Sequence, residues 1–206
     1  MMEIKKIINS DCEENCFLLH NGKSGILIDP GSDSEKILAE CENIEIPYIL
    51  LTHCHSDHIS SVEFFKKAKK SKVAATAECS RYIQDAKMNV SVFFGAPMNL
   101  EEADIILEDN EIFSTPVGYI KCIKTPGHTD CSACFLIENI LFSGDTLFKL
   151  SVGRWDLPTG NEKNLRNSIK NKLYVLEEST EVFPGHGEKT TIGYEKKNNF
   201  FIRAEN

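Results

Sequence analysis

The chain has 206 residues, enough for one sizeable domain and too few for two ordinary ones, so we predict a single domain over residues 1–206. The net charge of −8 argues against a nucleic-acid-binding surface. Residues 1–10 contain no signal-peptide core, and no stretch reaches the ~18 apolar residues of a membrane span. We therefore predict a cytoplasmic protein without nucleic-acid or membrane partners, whose oligomeric state the sequence leaves open.

The first part of the chain alternates short strands with helices. Strands are predicted for residues 3–8, 15–19, 25–29, 48–51 and 72–76. Ser32 and Glu35 have the spacing of a capping box before a short amphipathic helix. Further helices are predicted for residues 59–70 and 78–86. Residues 88–100, broken by Gly95 and Pro97, are predicted to form a loop on the substrate side.

The second part begins with strands and ends with helices. Strands are predicted for residues 104–107, 111–114, 117–124, 133–137, 140–142 and 181–183. Thr159 and Glu162 form a second capping box, and a helix with apolar residues from Leu165 to Leu176 follows. We predict that residues 190–206 contain a packed terminal helix.

Residues 52–58, T-H-C-H-S-D-H, hold half of the 6 histidines of the chain. They follow a buried strand and precede a helix, which is where α/β proteins place their sites. In such a turn His53 and His55 can point at one centre, while Asp57 and His58 can point at a second. Imidazole and carboxylate are ligands that Zn²⁺ prefers. We interpret this cluster as a metal site rather than a helix cap with chance histidines.

The same pattern, a strand followed by a tight turn and a polar residue, recurs at Asp29, His128, Asp145 and His186. Turns at the same ends of several strands converge in space. One tetrahedral ion takes only four ligands, so a set of seven suits two ions that share a bridging carboxylate. The predicted metal-binding set is His53, His55, Asp57, His58, His128, Asp145 and His186.

These motifs together resemble the metallo-β-lactamase-fold superfamily. The resemblance rests on D-P-G at 29, T-H-x-H-x-D-H at 52, P-G-H-T at 126, G-D-T at 144 and P-G-H-G at 184. It implies an α+β fold, an αββα four-layer sandwich with the site at the sheet edge. It also implies the roles of the residues: one site from His53, His55 and His128, a second from Asp57, His58 and His186, a bridging Asp145, and an Asp29 that orients a ligand imidazole.

Within this superfamily the chain is similar to the glyoxalase II group in a short, single-domain form. The residues behind this are G-R-W-D-L-P at 153–158 and T-T-I-G at 190–193. The chain ends before the helical domain with which glyoxalase II grips glutathione. The resemblance implies hydrolysis of a small-molecule thioester, such as S-lactoylglutathione. Arg154 and Asp156 are expected beside the site, either as an ion pair that shapes the loop or with Arg154 contacting an anionic substrate.

The predicted chemistry follows from two divalent metal ions, with Zn²⁺ expected first and Fe or Mn also accepted by these ligands. The ions would share a bridging water and lower its pKa, so that hydroxide attacks the thioester carbonyl at neutral pH. Asp57 and Asp145, with this metal-bridged hydroxide, are the predicted catalytic groups. The motifs contain no serine or cysteine nucleophile, so no acyl-enzyme is expected.

A persulfide dioxygenase of the same fold, with one iron, is the main alternative. That group has similar T-H-C-H-x-D-H, T-P-G-H-T-D and G-R-x-D segments, but usually has alanine where Gly185 stands here. A nuclease of this fold is disfavoured by the acidic charge. A non-catalytic relative is disfavoured because all seven ligand types are present.

The 8 cysteines are predicted to be free thiols, because no export signal is present. Cys131 and Cys134 form a CxxC pair whose role the sequence leaves open, although Cys134 fits strand packing. Cys54 lies between His53 and His55, so its side chain should point away from theirs.

Overall fold

The computed structural model describes residues 2–202, and two six-stranded sheets organise them. The first sheet contains β1 (Glu3–Ile8), β2 (Asn15–His20), β3 (Ser24–Ile28), β4 (Glu45–Leu50), β5 (Lys72–Ala75) and β6 (Ile105–Ile106), in that order. β1 to β3 are antiparallel, and β3 to β6 are parallel. Because β3 and β4 are parallel, the turns that follow them, at Asp29 and at residues 52–58, leave the same edge of the sheet.

The second sheet is built from the later strands. It contains β7 (Ile112–Thr115), β8 (Gly118–Lys124), β9 (Ala133–Ile137), β10 (Ile140–Gly144), β13 (Glu181–Pro184) and β14 (Thr190–Thr191). A two-stranded ribbon of β11 (Leu147–Phe148) and β12 (Ser151–Val152) lies outside it. β10 and β13 are parallel neighbours, so Asp145 and His186 follow strands that end together.

Helices cover the outer faces of both sheets. The helices are α1 (Ser34–Glu40), α2 (Ser56–Ile59), α3 (Val62–Lys69), α4 (Ala77–Tyr82), α5 (Glu162–Ser168) and α6 (Ile192–Asn198). One buried cluster joins the first sheet to α1, α3 and α4, and another joins the second sheet to α5 and α6. A third cluster lies between the sheets and includes Phe17, Phe135 and Phe142. These three apolar layers define the predicted four-layer sandwich, and the α+β fold class is confirmed.

Local hydrogen bonds explain where the elements differ from the prediction. The helix predicted over residues 59–70 corresponds to α3, which begins only at Val62. It is separate from α2, which ends at Ile59, because the Ser61 amide donates to the Pro30 carbonyl oxygen at 3.0 Å. Neither capping box forms: Asp33 begins α1 without a side-chain cap, and Asn161 caps α5 by accepting from the Asn164 amide. The C-terminal helix ends at Asn198, and residues 203–206 lie outside the described part.

Among residues 2–202, no helix has the length and apolar character needed to cross a membrane.

The packing between the sheets gives a stability prediction. Phe142 is 1% exposed, and its ring lies 5.1 Å from that of Phe17 and 5.6 Å from that of Phe183. We expect Phe142→Ala to lower the free energy of unfolding by about 3–5 kcal/mol, because a cavity remains between two sheets that cannot collapse. Urea unfolding of the metal-free protein measures this. Tyr119→Ala on the same sheet, where the side chain is 72% exposed, should change it by less than about 0.5 kcal/mol.

Candidate metal centre

The turn after β4 places four of the predicted side chains. His53 lies in the extended segment that leaves the strand, and His55 is the N-cap of α2 with extended backbone angles. Residues two apart in an extended segment face the same side, so the two imidazoles lie together, with ring centroids 4.7 Å apart. Asp57 and His58 fall in the single turn of α2, and the helical twist directs them elsewhere.

His53, His55 and His128 converge, and we call them the histidine triad. Their candidate ligand atoms all lie within 4.8 Å of one another, and all three residues are buried. His55 Nδ1 is 2.9 Å from His128 Nε2. His53 Nε2 is buried without any hydrogen-bond partner. A buried unpaired nitrogen is costly, and a cation among these three side chains would satisfy it.

Asp57, His58 and His186 form a second convergent set, the mixed triad. Their ligand atoms also lie within 4.8 Å of one another. His186 Nε2 is 3.3 Å from His58 Nε2 and 3.4 Å from Asp57 Oδ2. This set combines two imidazoles with one carboxylate, a donor set that Zn²⁺ and Fe²⁺ both accept.

The carboxylate of Asp145 lies between the two triads. Its Oδ1 is 3.4 Å from His58 Nε2, and its Oδ2 is 3.6 Å from His128 Nε2 and 3.5 Å from His186 Nε2. Oδ1 is buried and has no hydrogen-bond donor. One carboxylate therefore reaches both triads, as a bridging ligand must, and the whole donor set fits two ions.

Asp29, His53 and His58 also converge, but their bonding argues against a third metal site. Asp29 Oδ1 accepts from the Thr52 amide at 2.7 Å, and Oδ2 accepts from the Thr52 hydroxyl. Oδ2 also lies 3.0 Å from His58 Nδ1. Asp29 is thus already used by protein donors, and it holds the His58 ring so that Nε2 faces the mixed triad.

Three further imidazoles, those of His53, His128 and His186, have oxygen atoms at Nδ1, whereas His55 turns its Nδ1 towards His128 Nε2. The carbonyl oxygen of Arg154 lies 2.6 Å from His128 Nδ1, and that of Cys12 lies 3.0 Å from His186 Nδ1. The Thr52 hydroxyl, which donates to Asp29, can accept from His53 Nδ1 at 3.1 Å. A carbonyl can only accept, so Nδ1 carries the proton in these rings and Nε2 offers its lone pair to the centre.

Arg154 contributes to the centre through its backbone rather than its charge. Its guanidinium donates to both Asp156 oxygens, at 2.7 and 2.8 Å, and both side chains are exposed. The ion pair therefore shapes the loop whose carbonyl holds His128. This contact fits the ion pair that shapes the loop, one of the two roles expected from the sequence.

Glu14 is a residue that the sequence did not single out. It is fully buried, and Oε1 lies 3.8 Å from His58 Nδ1 without a hydrogen-bond partner, while Asn9 donates to Oε2. Burial raises the pKa of Glu14 well above its ordinary value. No spacing or motif marks this glutamate, because only the pairing of the segment before β2 with the turn at His186 brings it near His58.

The histidine pKa values are shifted in opposite directions in the two triads. Burial lowers the pKa of His53 well below its ordinary value and, with His128, that of His55 to about 3, so both are neutral donors. Burial disfavours the charged form of His58, but the Asp57 and Asp145 carboxylates outweigh it and raise the His58 pKa well above the ordinary 6.5. The pKa of His186 is also raised, by Asp57 against burial.

The cysteines are free thiols, and seven of the eight are buried. Cys131 packs between the first sheet and its helices, whereas Cys134 packs behind the second sheet. The CxxC thiols therefore face opposite layers. Cys54 donates to the Met88 carbonyl oxygen at 3.6 Å, on the side away from the triads, as predicted.

Comparison with known proteins identifies the family. The family model of the metallo-beta-lactamase superfamily matches residues 10–186, and the chain belongs to that superfamily. A probable metallo-hydrolase of Methanocaldococcus jannaschii is 36% identical, over 90% of this chain and 93% of that protein. The hydroxyacylglutathione hydrolase GloC of Haemophilus influenzae is 29% identical, over 99% of this chain and 100% of its own.

Solved structures agree with this assignment. The B3 metallo-beta-lactamase BLEG-1 is 32% identical and superposes with a TM-score of 0.93, over 98% of this chain and 100% of its own. TTHA1623, solved in a di-iron-bound form, is 31% identical with a TM-score of 0.85, over 96% of this chain and 100% of its own.

The role of Asp29 can be tested by metal titration. We expect Asp29→Ala to weaken binding of the ion at the mixed triad by about 10–100-fold, because the His58 ring loses its orienting partner. Asp29→Asn is the matched variant: it tolerates the positive φ of 49° and its Oδ1 can still accept from the Thr52 amide, but its side-chain nitrogen cannot accept from His58 Nδ1, so it should weaken binding by a similar factor. Equal affinity in wild type and Asp29→Ala would contradict this role.

The raised pKa values predict that the two triads respond differently to pH. Protons on His58 and His186 compete with an ion, so affinity at the mixed triad should rise as the pH increases above the ordinary histidine pKa of 6.5. His53 and His55 are already deprotonated there, so the histidine triad should respond less. Calorimetry in buffers of different ionisation enthalpy measures the protons released. In His53→Ala, added metal titrates the mixed triad, and in His186→Ala it titrates the histidine triad. Equal proton release on metal binding in the two variants would contradict the prediction.

Proposed function

We propose that the chain is a binuclear metal-dependent hydrolase that cleaves small-molecule thioesters. The observation that carries this proposal is the position of Asp145, whose two carboxylate oxygens face two complete triads. A single-ion enzyme would need only one of these triads. The mixed triad would then be a cluster of titratable groups around the buried His58 that holds no ion.

The thioester substrate is supported by sequence likeness to glyoxalase II enzymes. The segments at 153–158 and 190–193 resemble those of glyoxalase II, and a relative 29% identical over nearly the whole chain is a hydroxyacylglutathione hydrolase. The donor set suits Zn²⁺ first, and Fe or Mn as well. A relative solved with two irons favours keeping iron among the candidates.

The residues of the chain prepare the site for such a reaction. Bound divalent ions would polarise the thioester carbonyl and make a water acidic enough to attack at neutral pH. Burial opposes ionisation of Asp145, but His58 outweighs it and holds the Asp145 pKa well below its ordinary value. Asp57 is likewise kept ionised by His58 against burial, and it faces the open cavity where the water and substrate would enter. Both carboxylates thus remain acceptors for a proton or a cation.

Cys12 is the exposed thiol nearest this reaction. It lines the cavity next to Asp57, although no motif had marked it as a nucleophile. Burial, and then the Asp57 charge, raises the Cys12 thiol pKa, which disfavours the reactive thiolate. We therefore propose direct hydrolysis without an acyl-cysteine intermediate.

Gly185 favours the hydrolase over the single-iron dioxygenase. A Cβ at this position would lie 2.3 Å from Asp145 Oδ1 and 2.7 Å from His58 Cε1. Alanine, the residue usual in the dioxygenase group, would therefore press on the bridging carboxylate and on the mixed triad. Glycine leaves room for both triads to hold an ion.

Metal content and a substrate panel test this proposal. Protein purified without chelators or metal resin should hold about two ions per chain and hydrolyse thioesters. Gly185→Ala should retain about one ion and lose about 100-fold in hydrolysis, because the mixed triad is displaced. Gly187→Ala is the control: it strains the same turn, at φ 78°, but its Cβ meets nothing within 4 Å, so both ions should remain.

Two results would contradict the proposal, in whole or in part. One iron per chain, with oxygen uptake on glutathione persulfide and no thioester hydrolysis, would establish the dioxygenase instead. Two ions with no activity on any thioester would leave the binuclear centre standing and exclude the proposed substrate.

A further inference from the structure

A cavity of about 320 Å³ opens beside the mixed triad. Its volume is in the range of sites for small molecules. Asp57 both belongs to the triad and lines the cavity, so a molecule reacting at the centre would extend into this space. The cavity walls are formed by Ser10, Asp11, Cys12, Ser56, Asp57, Ser60, Ser91, Phe94, Ala96 and Met98.

The charged residues that line the cavity are all acidic. Two of the lining residues, Asp11 and Asp57, are acidic, and none of them is a lysine or an arginine. The guanidinium of Arg154, considered from the sequence as an anion contact, is paired with Asp156 instead. The lining residues therefore offer no side-chain cation to a carboxylate on the non-reacting arm of a substrate, and Asp11, which lies outside both triads, would repel one.

One part of the cavity lining, which we call the aromatic wall, is apolar and exposes an aromatic ring. Phe94 is 64% exposed at the end of a 3₁₀ turn, Ser91–Phe94, and Ala96 and Met98 continue the wall. Residues with positive φ bracket this turn, Val90 at 59° and Gly95 at 75°. The segment predicted to form a substrate-side loop is thus a short turn that presents an aromatic side chain next to the centre.

This wall is held in a fixed position relative to the triads. The Asn89 carbonyl oxygen accepts from the Ser56 amide at 2.9 Å, between His55 and Asp57 in the chain. The Asn89 side chain, which is fully buried, donates to the Met98 carbonyl oxygen at 2.9 Å, and the Ser91 hydroxyl accepts from the Met98 amide at the same distance. Hydrogen bonds therefore join the aromatic wall to the segment that carries the candidate ligands.

We propose that this cavity binds the non-reacting arm of the substrate and selects thioesters whose arm is uncharged and apolar over thioesters of anionic thiols such as glutathione. The inference rests on the proposed thioester hydrolase function. Glutathione carries more carboxylates than ammonium groups, and the lining offers nothing to pair with that excess charge. An uncharged arm would instead cover Phe94 and Met98.

Binding of two non-hydrolysable thioethers tests the inference without using catalysis. S-hexyl-N-acetylcysteamine is uncharged, whereas S-hexylglutathione carries the anionic arm. Cys12 lines the cavity and is the exposed thiol among eight, so its alkylation by iodoacetamide, followed by mass spectrometry on the metal-loaded protein, reports occupancy. We expect the uncharged probe to protect Cys12 at about tenfold lower concentration than the anionic one. Cys12→Ser should abolish the signal.

Three variants sharpen the test. Phe94→Ala should weaken protection by the uncharged probe about tenfold, because the apolar wall is lost. Phe93→Ala is the matched control: this neighbouring ring is 69% exposed but does not line the cavity, so protection should change less than about twofold. Asp11→Lys should strengthen binding of the anionic probe and narrow the difference between the probes.

Equal protection by the two probes, or equal effects of Phe93→Ala and Phe94→Ala, would overturn the inference. The two probes also distinguish a failure of the cavity preference from a failure of the proposed thioester hydrolysis. Selective protection in a protein that hydrolyses no thioester would support the cavity preference and contradict the reaction. Hydrolysis of uncharged and glutathione thioesters at similar KM would contradict the preference alone.

Discussion

The carboxylate of Asp145 is the group on which the two halves of the centre depend. It follows β10 of the second sheet, yet it faces His58, which comes from the first sheet, as well as His128 and His186. A buried carboxylate surrounded by imidazoles is stable only if their charges and donors, or a cation between them, compensate for its lost hydration. The sandwich must therefore bring the edges of both sheets together at this point.

The supporting contacts show how the fold holds these imidazoles. Asp29, at the end of β3, binds Thr52, at the end of β4, and orients His58 at the same time. Backbone carbonyls from two distant loops, at Arg154 and Cys12, orient the rings of His128 and His186. None of these atoms would touch a metal ion, yet each fixes which nitrogen can do so. Small shifts in the loops are thus transmitted directly to the candidate ligands.

The site is also electrically asymmetric. The histidine triad is buried, and its His53 and His55 are neutral, whereas the mixed triad holds the Asp57 carboxylate and two imidazoles of raised pKa and faces the acidic cavity. An approaching substrate meets the mixed triad, Asp11 and the aromatic wall before it meets the histidine triad. Binding preference and reactivity would therefore be set by different parts of the same centre, with Asp57 common to both.

The sequence by itself determined the fold class, the family and the identity of the converging side chains, because short motifs at strand ends are local features. His53, His55, Asp57 and His58 were visible together since one turn carries them, and Asp145 and His186 because their turns repeat the same pattern. Only the tertiary structure decided the rest. Four features arise where segments distant in the chain pack together, and no local pattern encodes them. They are the burial of Glu14, the contact of the Arg154 carbonyl with His128, the close approach of Gly185 to Asp145 and the lack of lysine or arginine among the residues that line the cavity.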